Sequence, residues 1–295
     1  MLTLFPAKKV ITMNPSLPEA EAILVENDRI VEVGTVKQMK PWLDAKPHQV
    51  DDSFSNHVIC PGFIDPHLHP SMAAVLLPME FITAMRWKLP WGTVEPTTSA
   101  EQFDQKMHKL HAEKTPEEPL FIWGFHALWH GNMSKPRINS VSKDRPVIVW
   151  HRSFHELYMN DAALNMVGLR PEDIKTGAQI DYENGHFYET GLGLAIARLN
   201  PWILSPERFG EGLKRLKEVV HYGGHTTIGD MATGLFDFES EVSALNQVLE
   251  GEDVPFRTRL VAHGSYVRNW GDTLEESVQL AAQLVDRNTH RLQFG

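Results

Sequence analysis

The chain has little of what several protein classes require. It contains one cysteine, Cys60, which excludes an internal disulfide framework and a zinc site built from several thiolates. Its 295 residues carry 28 Lys and Arg against 38 Asp and Glu, a net charge of −10, and no long basic run, so the electrostatic footprint of a nucleic-acid-binding protein is missing. No apolar run approaches the roughly 18 residues of a membrane span, and the amino-terminal residues lack the pattern of a signal peptide. We therefore expect a cytoplasmic protein with no nucleic-acid or membrane partner.

The first 58 residues show β patterns almost throughout. Two β-favouring runs, at 22–26 and 29–33, flank the polar pair Asn27-Asp28. Such runs around a two-residue polar turn predict a hairpin. We therefore expect a small β module over residues 1–58.

From residue 59 onward, β-type runs alternate with helical patterns. The mostly apolar run 58–65 predicts a strand that is buried on both faces, with Cys60 as a buried thiol inside it. Further strands are predicted at 119–125, 146–151, 225–231, 256–263 and from about 291. Capping patterns predict helices that begin at Ser99, Ser205 and Asp272. This alternation predicts an α/β domain with a parallel sheet over residues 59–295.

The strongest candidate for chemistry is the pair His67 and His69. Two residues apart on a strand, both side chains point to the same face, where they can reach one metal ion. Imidazole is a good ligand for zinc, iron and nickel. The alternative is a pair of loop histidines that hydrogen-bond to backbone groups.

The sequence around this pair resembles a known family. The run Pro61-Gly62-Phe63-Ile64-Asp65-Pro66-His67-Leu68-His69 is similar to the first-strand signature of the amidohydrolase superfamily of metal-dependent hydrolases. The hairpin that ends near Gly34 resembles the amino-terminal β-sandwich of the same proteins. The resemblance narrows to the amidohydrolase 3 branch, which includes N-substituted formamide deformylase, over residues 123–125, 145–150, 155–164 and 224–230.

The resemblance implies an incomplete TIM-like (β/α) barrel, preceded by a small β-sandwich module at residues 1–58. Residues 225–231 and 256–263 would be its second and third strands, and the fourth would begin near residue 292. The strands between 119 and 151 would then belong to a long insertion, at about residues 80–205, after the first barrel strand. His67 and His69 would hold a divalent metal ion, with zinc as the first expectation and iron or nickel as alternatives.

Position in the predicted strands suggests roles for further residues. Asp65, beside the pair, is expected to hold the turn or to orient an imidazole. Asp230, at the end of its strand, is expected to orient a ligand histidine or, equally well, to be a structural cap. His263, after the third strand, stands where a ligand could lie, but a hydrogen-bonded loop histidine is the preferred interpretation. Four residues are expected to line the substrate pocket, with packing inside the insertion as the alternative: His155, His151, Trp123 and Glu189.

Several groups of the family are missing from this sequence. The carboxylated lysine, two further histidines and the aspartate base would lie beyond Gly295. We therefore expect the amino-terminal part of a longer hydrolase that cleaves amide or related non-peptide C–N bonds of small molecules, inactive by itself. The alternatives are a non-catalytic half-barrel remnant that binds a ligand or partner and a metal-binding module without hydrolysis. An unpaired barrel edge would favour homo-oligomers.

Overall fold

The computed structural model describes residues 1–115, 118–175, 177–268 and 270–295. This part of the chain divides into two units, Met1–Phe63 and Ile64–Gly295. Within it, no helix has the length and apolar character needed to cross a membrane.

The first unit is a sheet with one helix. Its elements are β1 (Leu2–Asn14), β2 (Leu17–Glu26), β3 (Arg29–Gly34), α1 (Val36–Ala45), β4 (His48–Val50) and β5 (Val58–Ile59). The strand order is β3-β2-β1-β4, and β5 also pairs with β1. The predicted hairpin is confirmed, because Glu26 pairs with Arg29 across β2 and β3. Asn27 adopts a φ of 57° in the turn, a conformation that asparagine tolerates better than most residues.

The second unit contains the remaining elements. As far as residue 203 they are β6 (Phe63–Leu68), α2 (Pro70–Leu76), β7 (Glu80–Phe81), β8 (Trp87–Leu89), β9 (Gly92–Val94), α3 (Ala100–Glu113), β10 (Leu120–Phe125), α4 (Ala127–His130), α5 (Lys135–Asn139), β11 (Val147–His151), β12 (Glu156–Met159), α6 (Asp161–Met166), a 3-10 turn (Pro171–Asp173), β13 (Ile180–Asp181), β14 (His186–Tyr188) and α7 (Thr190–Ile203). After it come α8 (Pro206–Tyr222), β15 (His225–Thr233), α9 (Phe238–Leu249), β16 (Arg257–Ala262), α10 (Gly264–Val267), α11 (Leu274–Ala282), a second 3-10 turn (Gln283–Arg287) and β17 (Leu292–Phe294).

A four-stranded sheet places the candidate site. Its order is β6-β15-β16-β17, and the strands from β15 to β17 pair in parallel. These are the strands that the resemblance assigns to a barrel, and they are neighbours here in chain order; closure into a barrel stays a prediction. Apolar residues of β15, β16 and β17 pack with those of α8 and α9 in one core: Ile228, Leu260, Leu292, Leu213 and Val242.

The strands of the predicted insertion lie in other sheets, a two-stranded one formed by β8 and β9 and a six-stranded one. This six-stranded sheet has the order β13-β14-β12-β11-β10-β7. Every residue of β10 is buried, because α3 covers one face with Phe103 and Met107 while Phe121 and Trp123 point into the larger core on the other.

The prediction that residues 58–65 form a buried strand is wrong. The run is split into β5 and β6, and Cys60, between them, is exposed. Phe63 and Ile64 are 57% and 68% exposed. β6 is an end strand of its sheet, so its side chains have a strand neighbour on one side only.

Two of the three predicted helix starts are confirmed. Ser99 and Ser205 cap α3 and α8 by accepting a hydrogen bond from the backbone N–H three residues on. The third helix begins one residue later than predicted, because Thr273 rather than Asp272 is the cap. Thr273 Oγ1 accepts from the Glu276 N–H at 3.1 Å, and the Glu276 carboxylate accepts from the Thr273 N–H at 3.2 Å.

Close packing of α2 on α8 positions the chain just after His69. Gly212 of α8 lies against the backbone carbonyl of Ala74 in α2, where a Cβ atom would clash. A Cβ atom added to Gly210, in the same helix, would have no described atom of another part of the chain within 4 Å.

Replacing each of these two glycines by alanine should change the free energy of unfolding in opposite directions. Gly212→Ala should lower the free energy of unfolding by about 1–3 kcal/mol, because α2 must move away from α8. Gly210→Ala should raise it by roughly 0.5–1 kcal/mol through helix propensity alone. Urea denaturation followed by circular dichroism measures both. Equal effects of the two substitutions would contradict the packing described here.

Candidate metal centre

His67 and His69 lie at the carboxyl end of β6 with their rings close together. Their Nε2 atoms are 3.3 Å apart, and the ring planes meet at 82°. A tetrahedral zinc ion with zinc–nitrogen distances of about 2.0–2.1 Å holds two ligand nitrogens about 3.3 Å apart. The two imidazoles therefore have the spacing of a pair of metal ligands.

Two carboxylates lie beside this pair, as the sequence suggested, and they differ in their contacts. Asp65 Oδ1 accepts a hydrogen bond from the His67 backbone N–H at 3.1 Å, so it stabilises the turn rather than a ring. Asp230 is 1% exposed, and its Oδ1 lies 3.8 Å from Nδ1 of His69. That Nδ1 is buried and has no hydrogen-bond partner in the part of the chain that the structure describes. A small shift would give the carboxylate–imidazole pair that commonly orients a metal ligand.

The Asp230 carboxylate has two further contacts. Oδ1 accepts from the Ala232 N–H at 3.1 Å, and Oδ2 accepts from the Thr233 hydroxyl at 2.7 Å. Asp230 therefore caps the end of its strand through these hydrogen bonds and also lies beside the His69 ring.

The electrostatics favour a neutral imidazole at His69. Burial lowers its pKa, and the neighbouring His67 and His263 lower it further. Burial raises the pKa of Asp230, against the effect of its two hydrogen bonds. Since metals bind the deprotonated imidazole, a low pKa keeps His69 in its ligand form.

His263 differs from the prediction. Its backbone N–H donates to the Thr233 carbonyl at 2.9 Å, but its side-chain Nδ1 is buried and finds no hydrogen-bond partner among the described residues. It is therefore not the fully hydrogen-bonded loop histidine that the sequence suggested. Among the described residues, no group of three or more His, Cys, Asp or Glu side chains is arranged to hold a metal ion. The described part of the chain thus brings together two imidazoles with ligand spacing, not a complete coordination shell.

Sequence reasoning missed Glu241, which connects the segments around the site. This residue of α9 is completely buried. Its carboxylate accepts from the backbone N–H groups of Gly234, Phe236 and Asp237, at 3.0, 2.5 and 3.0 Å. It also accepts from the hydroxyl of Ser71 at 2.6 Å.

The donors to Glu241 come from the two segments next to the candidate ligands. One is the loop after β15, the strand that carries Asp230, and the other is the start of α2, two residues after His69. Burial raises the pKa of Glu241, although all four donors oppose that effect. In the sequence, Glu241 is one of several acids at the start of an amphipathic helix, so nothing distinguishes it there.

Removing this carboxylate should be costly. Glu241→Ala leaves three backbone N–H groups and a hydroxyl unpaired, and each unpaired buried donor costs about 1–3 kcal/mol. We expect the free energy of unfolding to fall by roughly 3 kcal/mol or more. The matched control is Glu239→Ala in the same helical turn, where the side chain is 75% exposed and pairs with Arg287. Chemical denaturation should show a change of about 1 kcal/mol or less for the control, and a similarly small loss for Glu241→Ala would contradict the role given to Glu241.

A cavity of about 430 Å³ opens at the same edge of the four-stranded sheet. Segments that follow β6, β15 and β16 contribute Met72, Phe236 and Tyr266 to its wall. His155 and Glu189, two of the predicted substrate-binding residues, also line it, with His155 Nδ1 3.4 Å from Glu189 Oε2. Glu189 has a φ of 45°, which is strained for a residue other than glycine. The structure thus brings these two predicted residues together.

The other two predicted pocket residues lie elsewhere. Trp123 lines a separate cavity of about 230 Å³. His151 is not among the residues of either cavity. Its Nδ1 lies 2.7 Å from Ser153 Oγ and 3.6 Å from Glu156 Oε1. A contact with substrate therefore stays a prediction for all four residues.

No family model matches the sequence. Among curated proteins, the chain is 21% identical to the exoenzymes regulatory protein AepA of Pectobacterium carotovorum subsp. carotovorum over 261 residues, 83% of this chain and 52% of that protein. It is 23% identical to the protein LONG AFTER FAR-RED 3 of Arabidopsis thaliana over 229 residues, 75% of this chain and 37% of that protein. The matched residues therefore span about half, or less, of the length of these relatives.

Two solved structures resemble the whole chain. An uncharacterized metal-dependent hydrolase from Pyrococcus horikoshii OT3 matches with a TM-score of 0.69 and 17% identity, over 99% of this chain and 53% of its own. An uncharacterized metal-dependent hydrolase from Pyrococcus furiosus matches with a TM-score of 0.67 and 16% identity, over 99% and 55%. The chain therefore has the fold of about half of these metal-dependent hydrolases.

Proposed function

We propose that this chain is part of a metal-dependent hydrolase that cleaves amide or related non-peptide C–N bonds in small molecules, and that His67 and His69 supply two of its metal ligands. The observation that carries the proposal is the 3.3 Å separation of the two Nε2 atoms, which matches a tetrahedral site. The fold shared with metal-dependent hydrolases supports it. The choice of C–N bonds depends on the sequence resemblance to the amidohydrolase 3 branch.

A bound divalent ion, with zinc as the first expectation and iron or nickel as alternatives, would polarise a carbonyl group and lower the pKa of water. The protein residues have separate tasks around it. Asp230 would orient the His69 ring once the 3.8 Å between Oδ1 and Nδ1 shortens to a hydrogen bond, and Asp65 holds the turn that carries His67. The cavity of about 430 Å³ takes the organic part of the substrate, with His155 and Glu189 at its wall.

Two ligands are too few for a catalytic zinc site, which has three protein ligands and a water. We propose that the remaining ligands and the general base come from a region of the longer protein that corresponds to the unmatched part of the relatives. The 295-residue chain alone is then inactive. The similarity to the exoenzymes regulatory protein AepA favours a second candidate: a non-catalytic protein with the same fold that binds a ligand or partner.

Metal binding by the purified chain tests the ligand assignment. We expect calorimetric zinc titration to show one site per chain. His67→Ala and His69→Ala should each weaken zinc binding by about tenfold or more, since even the loss of a residue behind a ligand costs about 10–100-fold. His108→Ala is the control, because His108 is exposed on α3. Unchanged zinc affinity in both variants would overturn the assignment.

Hydrolysis by the native gene product separates the two candidate functions. A product longer than this chain that hydrolyses small amides, and loses that activity with His69→Ala, supports the hydrolase. A product that binds zinc through His67 and His69 but cleaves no amide favours the non-catalytic protein. Metal-dependent turnover by the 295-residue chain would contradict the need for further residues.

A further inference from the structure

The cavity of about 230 Å³ in the insertion has aromatic walls and a cation. Its aromatic lining comes from Trp87, Trp123 and Trp129, and Arg152 stands beside them. The rings of Trp87 and Trp123 meet nearly at right angles, with centroids 5.2 Å apart. The ring of Trp129 is 48% exposed and offers its surface to a single aromatic ring, which prefers offset or edge-on contacts. The volume is sufficient for one ring.

The polar groups of this cavity are hydrogen-bond donors. Arg152 is exposed and, among the described residues, its guanidinium has no ion-pair or hydrogen-bond partner. His126 Nδ1 accepts the Leu128 N–H at 3.1 Å, so the proton of the neutral ring is on Nε2 and is available to donate.

Groups that would repel an anion are missing from the lining. Of the residues that the structure describes, none that forms the cavity is an Asp or a Glu. The cavity next to the metal centre has the opposite character, since Glu189 lines it without any Lys or Arg. The two cavities therefore differ in the charge they favour.

Gly124 allows the cavity to form. It has a φ of 111°, and a Cβ atom there would meet the Ile82 carbonyl and the Thr83 side chain. Glycine thus lets strand β10 run close to the segment that carries Thr83, which forms one wall.

We propose that this cavity, which shares no lining residue with the cavity of about 430 Å³, is a binding site for a monocyclic aromatic carboxylate. The ring packs against the tryptophan side chains of the lining, and the carboxylate accepts hydrogen bonds from the guanidinium group of Arg152. A charge-assisted hydrogen bond to guanidinium discriminates a carboxylate from its amide. The site needs no metal ion, so this proposal can be tested independently of the hydrolase proposal.

Benzoate tests the proposal on the metal-free chain, with tryptophan fluorescence and calorimetry as readouts. We expect benzoate to bind at least about tenfold more tightly than benzamide, which has the same shape without the charge, since hydrogen bonds to charged groups are the stronger ones. Cyclohexanecarboxylate, with the charge but without the aromatic ring, should also bind more weakly. Arg152→Gln should lower benzoate affinity by about tenfold or more and leave benzamide affinity unchanged.

Lys143→Gln is the matched control, because it removes one positive charge at an exposed position of the insertion outside the cavity. It should leave benzoate affinity unchanged. Equal affinity for benzoate and benzamide, equal effects of Arg152→Gln and Lys143→Gln, or no benzoate binding at millimolar concentration would each overturn the proposal. Circular dichroism of Arg152→Gln checks that the variant is folded, and the exposed position of Arg152 makes unfolding an unexpected result.

Discussion

The buried carboxylate of Glu241 is the interaction on which the geometry of the candidate site depends. It pairs with donors from two segments that are far apart in sequence, the loop after β15 and the start of α2. A buried carboxylate is tolerated only when such donors satisfy it. Because His69 immediately precedes α2, and Asp230 lies in the strand before that loop, Glu241 holds both near one another. The close approach of Gly212 to α2 reinforces the same arrangement.

Local signals in the sequence predicted much of the fold. The Asn27-Asp28 hairpin and the helix caps at Ser99 and Ser205 depend on a few consecutive residues, so they could be predicted without knowing the tertiary structure. The burial of β6 could not be predicted this way, because the exposure of a strand depends on what packs against it. The cap at Thr273 was missed by one residue, since Asp272 is an equally good cap by residue type.

The candidate site likewise combines a local feature that the sequence predicts with long-range contacts that it does not. The spacing of His67 and His69 predicts a shared face, and their Nε2 atoms are indeed 3.3 Å apart. Glu241 could not be predicted, because its contact with Ser71 spans 170 residues of sequence. The separation of Trp123 from His155 and Glu189 into two cavities likewise depends on tertiary packing. Sequence patterns therefore identify candidate ligands, whereas only the structure shows which charges surround each cavity.

The central claim is that His67 and His69 are ligands of one metal ion, and zinc-soaked crystals of this chain test it most directly. Anomalous diffraction at the zinc edge locates the ion without any assumption about activity. We predict a peak about 2.0–2.1 Å from both Nε2 atoms, the usual zinc–nitrogen distance. A peak at other histidines only, or at one ring with the second turned away, would contradict the claim.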